Sequence, residues 1–174
     1  MSRLDINIRR LKAQRACLNL AANLIEGVPG PVFELGLGNG RTYDHLRERL
    51  PEREIFVFER EVAAHPDCIP DADHLFVGDL HETLPAAVAR FAGAVALVHA
   101  DVGSANAARD AELAAFIGRY LPAVLHPGGV VASDRDVAFA GARPLALPED
   151  FAPGTYFMYA LPTCGAAAPA ARRA

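Results

Sequence analysis

The sequence is poor in cysteine and in lysine, has no excess of positive charge and contains no long apolar run. Its three cysteines, Cys17, Cys68 and Cys164, are widely separated and form no CxxC pair, which excludes a disulfide framework and a zinc knuckle. We therefore expect free thiols and a cytoplasmic protein. No apolar run reaches the ~20 residues of a membrane span and no signal-peptide core is present, so no membrane partner is expected. The net charge of −4 argues against a nucleic-acid partner, because neutralising phosphates needs a basic face.

The composition is otherwise that of an ordinary globular protein. The 174 residues are 52% hydrophobic and 22% charged, and this length suits one domain with a core of its own. We place that domain at residues 1–161. The segment 162–174 is rich in alanine, shows no clear apolar face and is expected to be disordered. Since sixteen of the seventeen basic residues are arginine and alanine is abundant, we expect a bacterial source with a GC-rich genome.

Short apolar runs alternate with longer helical patterns from residue 32 onward. The runs predict strands at 32–35, 55–58, 74–77, 94–98 and 129–132, and the stretches between them predict helices at 42–50, 80–91 and 107–121. This alternation is typical of βαβ units, so we predict an α/β fold with a Rossmann-like, doubly wound, mostly parallel sheet and helices on both faces. The apolar segments 144–147 and 156–161 have no helix between them and predict an antiparallel addition at the sheet edge.

An amphipathic helix is predicted ahead of the first strand. Apolar residues recur at helical spacing from Leu4 to Ile25, and Ser2 with Asp5 forms an N-terminal capping signal. Five basic residues crowd the first half of this helix: Arg3, Arg9, Arg10, Lys12 and Arg15. We interpret them either as a solvated face or as the contact for an anionic partner or a second subunit, which would make a homo-oligomer through this helix.

The strongest local signal is a glycine loop between the first strand and its helix. Gly36, Gly38 and Gly40 occupy alternate positions, and glycine permits both a positive φ and a close approach of a ligand to the backbone. Such a turn suits a dinucleotide, a nucleotide phosphate or the amino-acid end of S-adenosylmethionine. The dinucleotide pattern GxGxxG would put its third glycine at Arg41, and the GK[ST] ending of a P-loop is absent.

The run Glu34-Leu35-Gly36-Leu37-Gly38-Asn39-Gly40 resembles motif I of the class I S-adenosylmethionine-dependent methyltransferases. Further similarity extends to about Asp134 and includes the Leu-His-Pro-Gly-Gly segment before the fifth strand, which we interpret as a turn that launches this strand. The resemblance implies that S-adenosylmethionine is the cofactor. It also implies that the glycine loop and the start of the next helix hold this cofactor through Glu34, Gly36, Gly38, Asn39, Gly40 and Thr42.

Two acidic strand ends support this interpretation. Glu59 ends the second strand, and in the family an acid there accepts the ribose hydroxyls; Arg60 follows it, and Glu61 is the fallback. Asp79 and Leu80 follow the third strand, where the family contacts adenine. Asp79 with Glu82 also fits a capping box for the following helix, and the two roles do not exclude one another.

The catalytic candidates lie at the next two strand ends. Asp101 follows the fourth strand and Asp134 the fifth, and either carboxylate suits a general base; His99 is the alternative. Asp101, Asp134 and Asp136 also resemble the acidic metal ligands of catechol-type O-methyltransferases. The Asp-Asn pair of that pattern is missing and Arg135 would repel a cation, so we expect no metal.

These patterns together predict an S-adenosylmethionine-dependent methyltransferase that acts on a small molecule. A nicotinamide-dependent oxidoreductase of the same broad fold is the second hypothesis. A protein that binds S-adenosylmethionine without catalysis is the third.

Overall fold

The computed structural model describes residues 2–104, 106–148 and 150–163. Within these residues the α-helices are α1 (Arg3–Leu24), α2 (Arg41–Arg49), α3 (Leu80–Phe91) and α4 (Ala107–Val124). The strands are β1 (Val32–Leu35), β2 (Ile55–Glu59), β3 (Leu75–Val77), β4 (Val95–Ala100), β5 (Leu125–Ser133), β6 (Arg143–Pro144) and β7 (Phe157–Ala160). Two single 3₁₀ turns, Pro66–Cys68 and Ala72–His74, lie between β2 and β3.

All seven strands form one sheet in the order β3-β2-β1-β4-β5-β7-β6. Strands β1 to β5 are parallel, and β7 runs antiparallel between β5 and β6. The register sets Leu35 beside both Phe58 and Ala100, so β1, β2 and β4 end at nearly the same level. The predicted parallel sheet with an antiparallel C-terminal strand is confirmed. The strand order reverses beside β1, which is where α/β sheets of this type bind ligands.

Helices cover both faces of the sheet, as predicted. One core cluster joins α3 and α4 to the sheet and is built around aromatic side chains, including Phe33, Phe56 and Phe91. The other cluster joins α1 and α2 to the opposite face through aliphatic side chains such as Leu18 and Leu46. Strands buried on both faces need continuous apolar sequence, which explains why β1 and β4 are buried at every position.

Helix α1 is packed along only half of its length. The predicted capping signal is formed, because the Ser2 hydroxyl accepts from Asp5 N–H and the Asp5 carboxylate accepts from Ser2 N–H. At the other end, the guanidinium of Arg53 donates to the carbonyls of Ile25, Val28 and Gly30, which fastens the segment that leaves the helix. Every residue from position 2 to position 12 is exposed, so the first three turns of α1 are largely open to solvent.

The largest departure from the predicted elements is at β5. Helix α4 continues through Pro122 to Val124 and leads directly into a strand that begins at Leu125. The Pro-Gly-Gly segment is therefore a bulge inside β5 and not a turn before it. The bulge is visible in the register, because Leu125 pairs with Val95 whereas Val130 pairs with Leu97. Gly128 has a φ of +92° there, and its N–H donates to the carbonyl of Leu161 beside β7.

The expected disordered segment 162–174 falls outside the described residues from position 164 onward. No helix in the described part of the chain is both long and apolar enough to cross a bilayer.

Candidate active site

A cavity of about 440 Å³ opens where β1, β2, β3 and β4 end. Its volume is within the ~300–1,000 Å³ of small-molecule and cofactor sites. The sequence-predicted residues that contribute to its wall are Gly36, Gly38, Glu59, Arg60, Asp79, Leu80 and Asp101. Residues from four separate strand ends thus meet at one place, as the parallel topology requires.

The three loop glycines have different local surroundings. All have a positive φ, of +91° at Gly36, +51° at Gly38 and +83° at Gly40. A Cβ at Gly36 would lie 2.7 Å from the carbonyl oxygen of Asp101, and one at Gly40 would collide with Cys68. A Cβ at Gly38 would meet no atom within 4 Å, although Gly38 is part of the cavity wall. Two glycines therefore allow the loop to pack, and Gly38 keeps a space free for a ligand.

Glu59 fixes the shape of this loop. One carboxylate oxygen accepts from Leu37 N–H at 2.8 Å and Gly38 N–H at 3.0 Å. The other oxygen accepts from the N–H groups of Arg60 and Glu61 at 2.7 and 3.2 Å. Partial burial raises the pKa of Glu59, but the four hydrogen bonds outweigh it and the net pKa is lowered. The loop is thus held open by an ionised carboxylate on the neighbouring strand.

Asp79 caps α3 from the cavity wall. Its side chain accepts from His81 N–H at 2.8 Å and contacts His81 Nδ1 at the same distance. The hydrogen bond from His81 N–H is the main reason that the pKa of Asp79 is lowered. The predicted helix cap is present. Glu82 donates its backbone N–H to the Asp79 carbonyl, but its side chain does not complete a capping box. The predicted capping box of Asp79 and Glu82 is therefore wrong.

Asp101 connects the cavity to α1. Gln14 Nε2 donates to Asp101 Oδ2 at 2.7 Å, and Arg10 Nη1 donates to both oxygens at 3.1 and 3.2 Å. Arg10 and Gln14 are one helical turn apart, so both side chains point from α1 toward the end of β4. The face of α1 that is buried farther along the helix thus carries polar side chains that bind the carboxylate of Asp101.

His99 points into the core and not into the cavity. It is fully buried between Glu34, whose Oε2 is 2.6 Å from His99 Nδ1, and Tyr156, whose hydroxyl is 2.6 Å from His99 Nε2. Burial lowers the pKa of His99, but the charge and hydrogen bond of Glu34 outweigh it and the net pKa is raised. The other oxygen of Glu34 accepts from the Thr42 hydroxyl at the start of α2. Glu34 thus ties the strand to the helix on either side of the glycine loop.

Asp134 is a nearly buried carboxylate that does not contribute to the wall of the cavity, unlike Asp101. Its side chain is 8% exposed, and Oδ1 has no hydrogen-bond partner among the described residues. Burial, followed by the charge of Asp101, raises the pKa of Asp134 to about 6. Arg135 lies 3.6 Å from it but forms its shorter ion pair, 2.9 Å, with Asp110. Within the described ranges no group of three or more His, Cys, Asp or Glu side chains is arranged to hold a metal ion.

The family of this chain follows from its similarity to known proteins. A family of S-adenosyl-L-methionine methyltransferases matches residues 1–161. The chain belongs to this family. The sheet described above is therefore that of an S-adenosyl-L-methionine methyltransferase.

An S-adenosyl-L-methionine methyltransferase from Silicibacter pomeroyi, known from its crystal structure, shares 45% sequence identity with this methyltransferase. The match covers 92% of this chain and 99% of that one, with a TM-score of 0.87. Human methyltransferase-like protein 13, in complex with S-adenosylhomocysteine, is 14% identical over 88% of this chain and 82% of its own. Its TM-score of 0.59 supports the fold alone. The comparison with curated proteins found no match.

The cavity fits the cofactor of this methyltransferase. S-adenosylmethionine needs space against a bare backbone for its amino-acid part and polar groups for its sugar and base. Gly38 leaves such a space, and Glu59 and Asp79 place carboxylates along the same wall. The nicotinamide hypothesis is replaced by this assignment, as is the hypothesis of binding without catalysis.

Four residues predicted to hold the cofactor lie outside the cavity wall: Glu34, Asn39, Gly40 and Thr42. Glu34 is completely buried and its two oxygens are bonded to His99 and Thr42, so the carboxylate does not reach the cavity. Other groups were missed, among them Arg10, Gln14, His81 and Ser104. The signal for Arg10 and Gln14 was present, because both lie on the face of α1 that carries the buried Cys17.

Proposed function

We propose that this methyltransferase methylates a small molecule and that Asp101 receives the proton of the acceptor. The observation that carries the proposal is the position of Asp101 in the cavity wall at the end of β4, held by Arg10 and Gln14. His99, the alternative base, is fully buried and already bonded on both ring nitrogens. Asp134, the other candidate carboxylate, lies outside the cavity wall and interacts with Asp101 through the repulsion of like charges.

For this reaction the protein has to position the acceptor and receive its proton. When bound, S-adenosylmethionine supplies a methyl group on a positively charged sulfur, so the activation lies in the cofactor. The acceptor's lone pair forms the new bond to the methyl carbon, and the electrons of the carbon–sulfur bond remain on sulfur. Asp101 takes the proton of the acceptor O–H or N–H, a role that contributes about 10²–10⁴-fold. Orientation by the cavity walls contributes several kcal/mol more.

We also propose that the protein is a single-domain, cytoplasmic, bacterial enzyme. The match over residues 1–161 supports a single domain with those limits. Cys17 and Cys68 are free thiols, which supports a reducing cytoplasm, and the Silicibacter relative supports a bacterial source. The acidic net charge supports a small molecule over a nucleic acid as the acceptor. Self-association through α1 stays a prediction.

Gly38→Val is expected to weaken cofactor binding, and with it methyl transfer, by filling the space that the loop leaves for the cofactor. The test is tritium transfer from labelled S-adenosylmethionine to an extract of bacterial metabolites, together with calorimetric binding of S-adenosylhomocysteine. We expect an affinity loss of roughly 10–100-fold, since overpacking of this kind costs about 1–3 kcal/mol.

Gly93→Val is the matched control. Gly93 has a φ of +64° and, like Gly38, no atom within 4 Å of an added Cβ, but it lies in the turn before β4 and outside the cavity. Both substitutions therefore carry a similar backbone cost of about 1–2 kcal/mol. Equal affinities of the two variants would remove the loop from the site. Absence of labelled product with wild-type protein that binds S-adenosylhomocysteine would count against a small-molecule acceptor.

A further inference from the structure

A second cavity, of about 480 Å³, lies between α1 and α2. Ile8, Leu11 and Leu18 form its apolar part. Leu18 is buried, whereas Ile8 and Leu11 are 43% and 38% exposed. The three side chains lie on one stripe of α1 that is buried at Leu18 and becomes exposed toward the start of the helix. Apolar surface in a concave site of this size favours binding of an apolar body.

Three cations surround this apolar part: Lys12, Arg15 and Arg41. Among the described residues none of them lies within ion-pair distance of a carboxylate, in contrast to Arg10, Arg47 and Arg135. Two carboxylates also contribute to the wall. Asp44 is paired with Arg47 at 2.6 Å, so within the described ranges Glu48 is the one acid of this wall without an ion pair, against three cations. The cavity therefore carries a net positive charge on a chain whose net charge is −4.

One hydrogen bond links the walls of this cavity and the cofactor cavity. Gln14 contributes to the wall of the second cavity, and its Nε2 donates to Asp101, which is in the wall of the first. Thr42 also faces the second cavity, and its hydroxyl donates to Glu34 beneath the glycine loop. A molecule in the second cavity can thus contact Gln14, which holds Asp101 in the wall of the first cavity.

We infer that the second cavity binds the methyl acceptor and that the acceptor is a small molecule with an apolar body and an anionic group such as a carboxylate. Arg15 and Arg41 bind the anion, Ile8 and Leu11 contact the apolar body, and the atom to be methylated points toward Gln14 and Asp101. The inference rests on the proposed function, because Asp101 marks the reacting end only if it receives the acceptor's proton. The second cavity then determines the specificity of the methyltransferase.

Octanoate is the probe, with 1-octanol as its neutral counterpart of equal chain length. Both are titrated by calorimetry into wild-type protein saturated with S-adenosylhomocysteine, into the double variant Arg15→Gln/Arg41→Gln and into the matched control Arg119→Gln/Arg143→Gln. The control removes the same two charges from α4 and β6, away from both cavities. We expect octanoate to bind wild-type and control alike, more tightly than octanol. The Arg15/Arg41 variant should lose roughly tenfold or more of its octanoate affinity.

The outcomes separate this inference from the proposed function. Normal S-adenosylhomocysteine binding with octanoate affinity unchanged by the Arg15/Arg41 substitutions, or with no octanoate binding at all, overturns the inference alone. If the wild-type protein does not bind S-adenosylhomocysteine, the proposed function is overturned. Weaker binding of S-adenosylhomocysteine by the Arg15/Arg41 variant, with unchanged binding of 5′-methylthioadenosine, would show that these cations bind the cofactor's carboxylate. That result also overturns the acceptor assignment.

Discussion

Glu34→Leu is expected to destabilise the protein by about 3–5 kcal/mol, because it leaves His99 buried without its charged partner. Both side chains are fully buried, and Glu34 Oε2 lies 2.6 Å from His99 Nδ1. His99→Leu is expected to cost a similar amount, since Glu34 is then the buried group without a partner. Denaturation in urea, followed by circular dichroism, measures the free energy of unfolding of each variant.

The double variant decides whether the two costs have one cause. Glu34→Leu/His99→Leu removes both charges and is expected to cost less than the sum of the single variants by at least about 1.5 kcal/mol. The exposed pair of Asp44 and Arg47 supplies the comparison, because Asp44→Ala should cost less than about 1 kcal/mol. Additive costs for Glu34 and His99 would show that the pair is not coupled.

The cost of removing Glu34 should also depend on pH. The pKa of His99 is raised in the folded protein, so the stability that the pair contributes is fully present below the ordinary histidine value of 6.5. It is lost as the pH rises through the folded pKa, where His99 gives up its proton. The difference between wild type and Glu34→Leu should therefore be largest at low pH, and a difference that grows with pH would contradict the assignment.

Asp134→Asn is expected to stabilise the protein at neutral pH. The pKa of Asp134 is raised from 3.8 to about 6, mainly by burial and then by the charge of Asp101. The folded protein thus holds this proton more tightly than the unfolded chain does, and its stability falls as the pH rises from below 4 to above 6. Full ionisation costs roughly 3 kcal/mol. Asparagine removes the charge while keeping the size of the side chain, so a gain approaching that amount is expected at pH 8.

The gain should vanish at pH 4, where Asp134 is protonated in the folded wild type. Thermal unfolding at pH 4, 6 and 8 measures it, with exposed Asp73→Asn as the control that should change stability by less than about 0.5 kcal/mol at each pH. A gain of equal size at all three pH values would show that ionisation of Asp134 is not its origin. Asp134 would then be a buried carboxylate that lowers the stability of the protein next to Asp101. A residue with such a cost is expected where function requires it.

The sheet and the glycine loop could be predicted because both depend on local sequence. Strand β1 and helix α3 begin and end where their apolar pattern does, and the alternate glycines Gly36, Gly38 and Gly40 signal a loop with positive φ angles. The bulge in β5 could not be predicted in this way. A Pro-Gly-Gly segment suits a turn equally well, and only pairing with β4 and the hydrogen bond from Gly128 to Leu161 make it part of the strand.

The contacts that organise the site join residues far apart in the chain. Asp101 is held by α1 residues 91 and 87 positions away, and His99 finds Glu34 because β1 and β4 are neighbours in register. Hydrophobic periodicity says which side of a helix is buried, but not which strand end its polar residues reach. For Glu59 the sequence indicated a carboxylate at the right strand end, whereas its four hydrogen bonds to backbone N–H groups follow from the folded loop alone.

The glycine loop after β1 and the carboxylate of Glu59 together hold S-adenosylmethionine, and this is the central claim. A crystal structure of the complex with S-adenosylhomocysteine tests it most directly. We expect the amino-acid part beside Gly36 and Gly38 and both ribose hydroxyls within hydrogen-bond distance of Glu59, which then shares its oxygens between the sugar and the loop. A nucleoside bound elsewhere, or a Glu59 that keeps only its backbone partners while the sugar lies out of reach, would contradict the account.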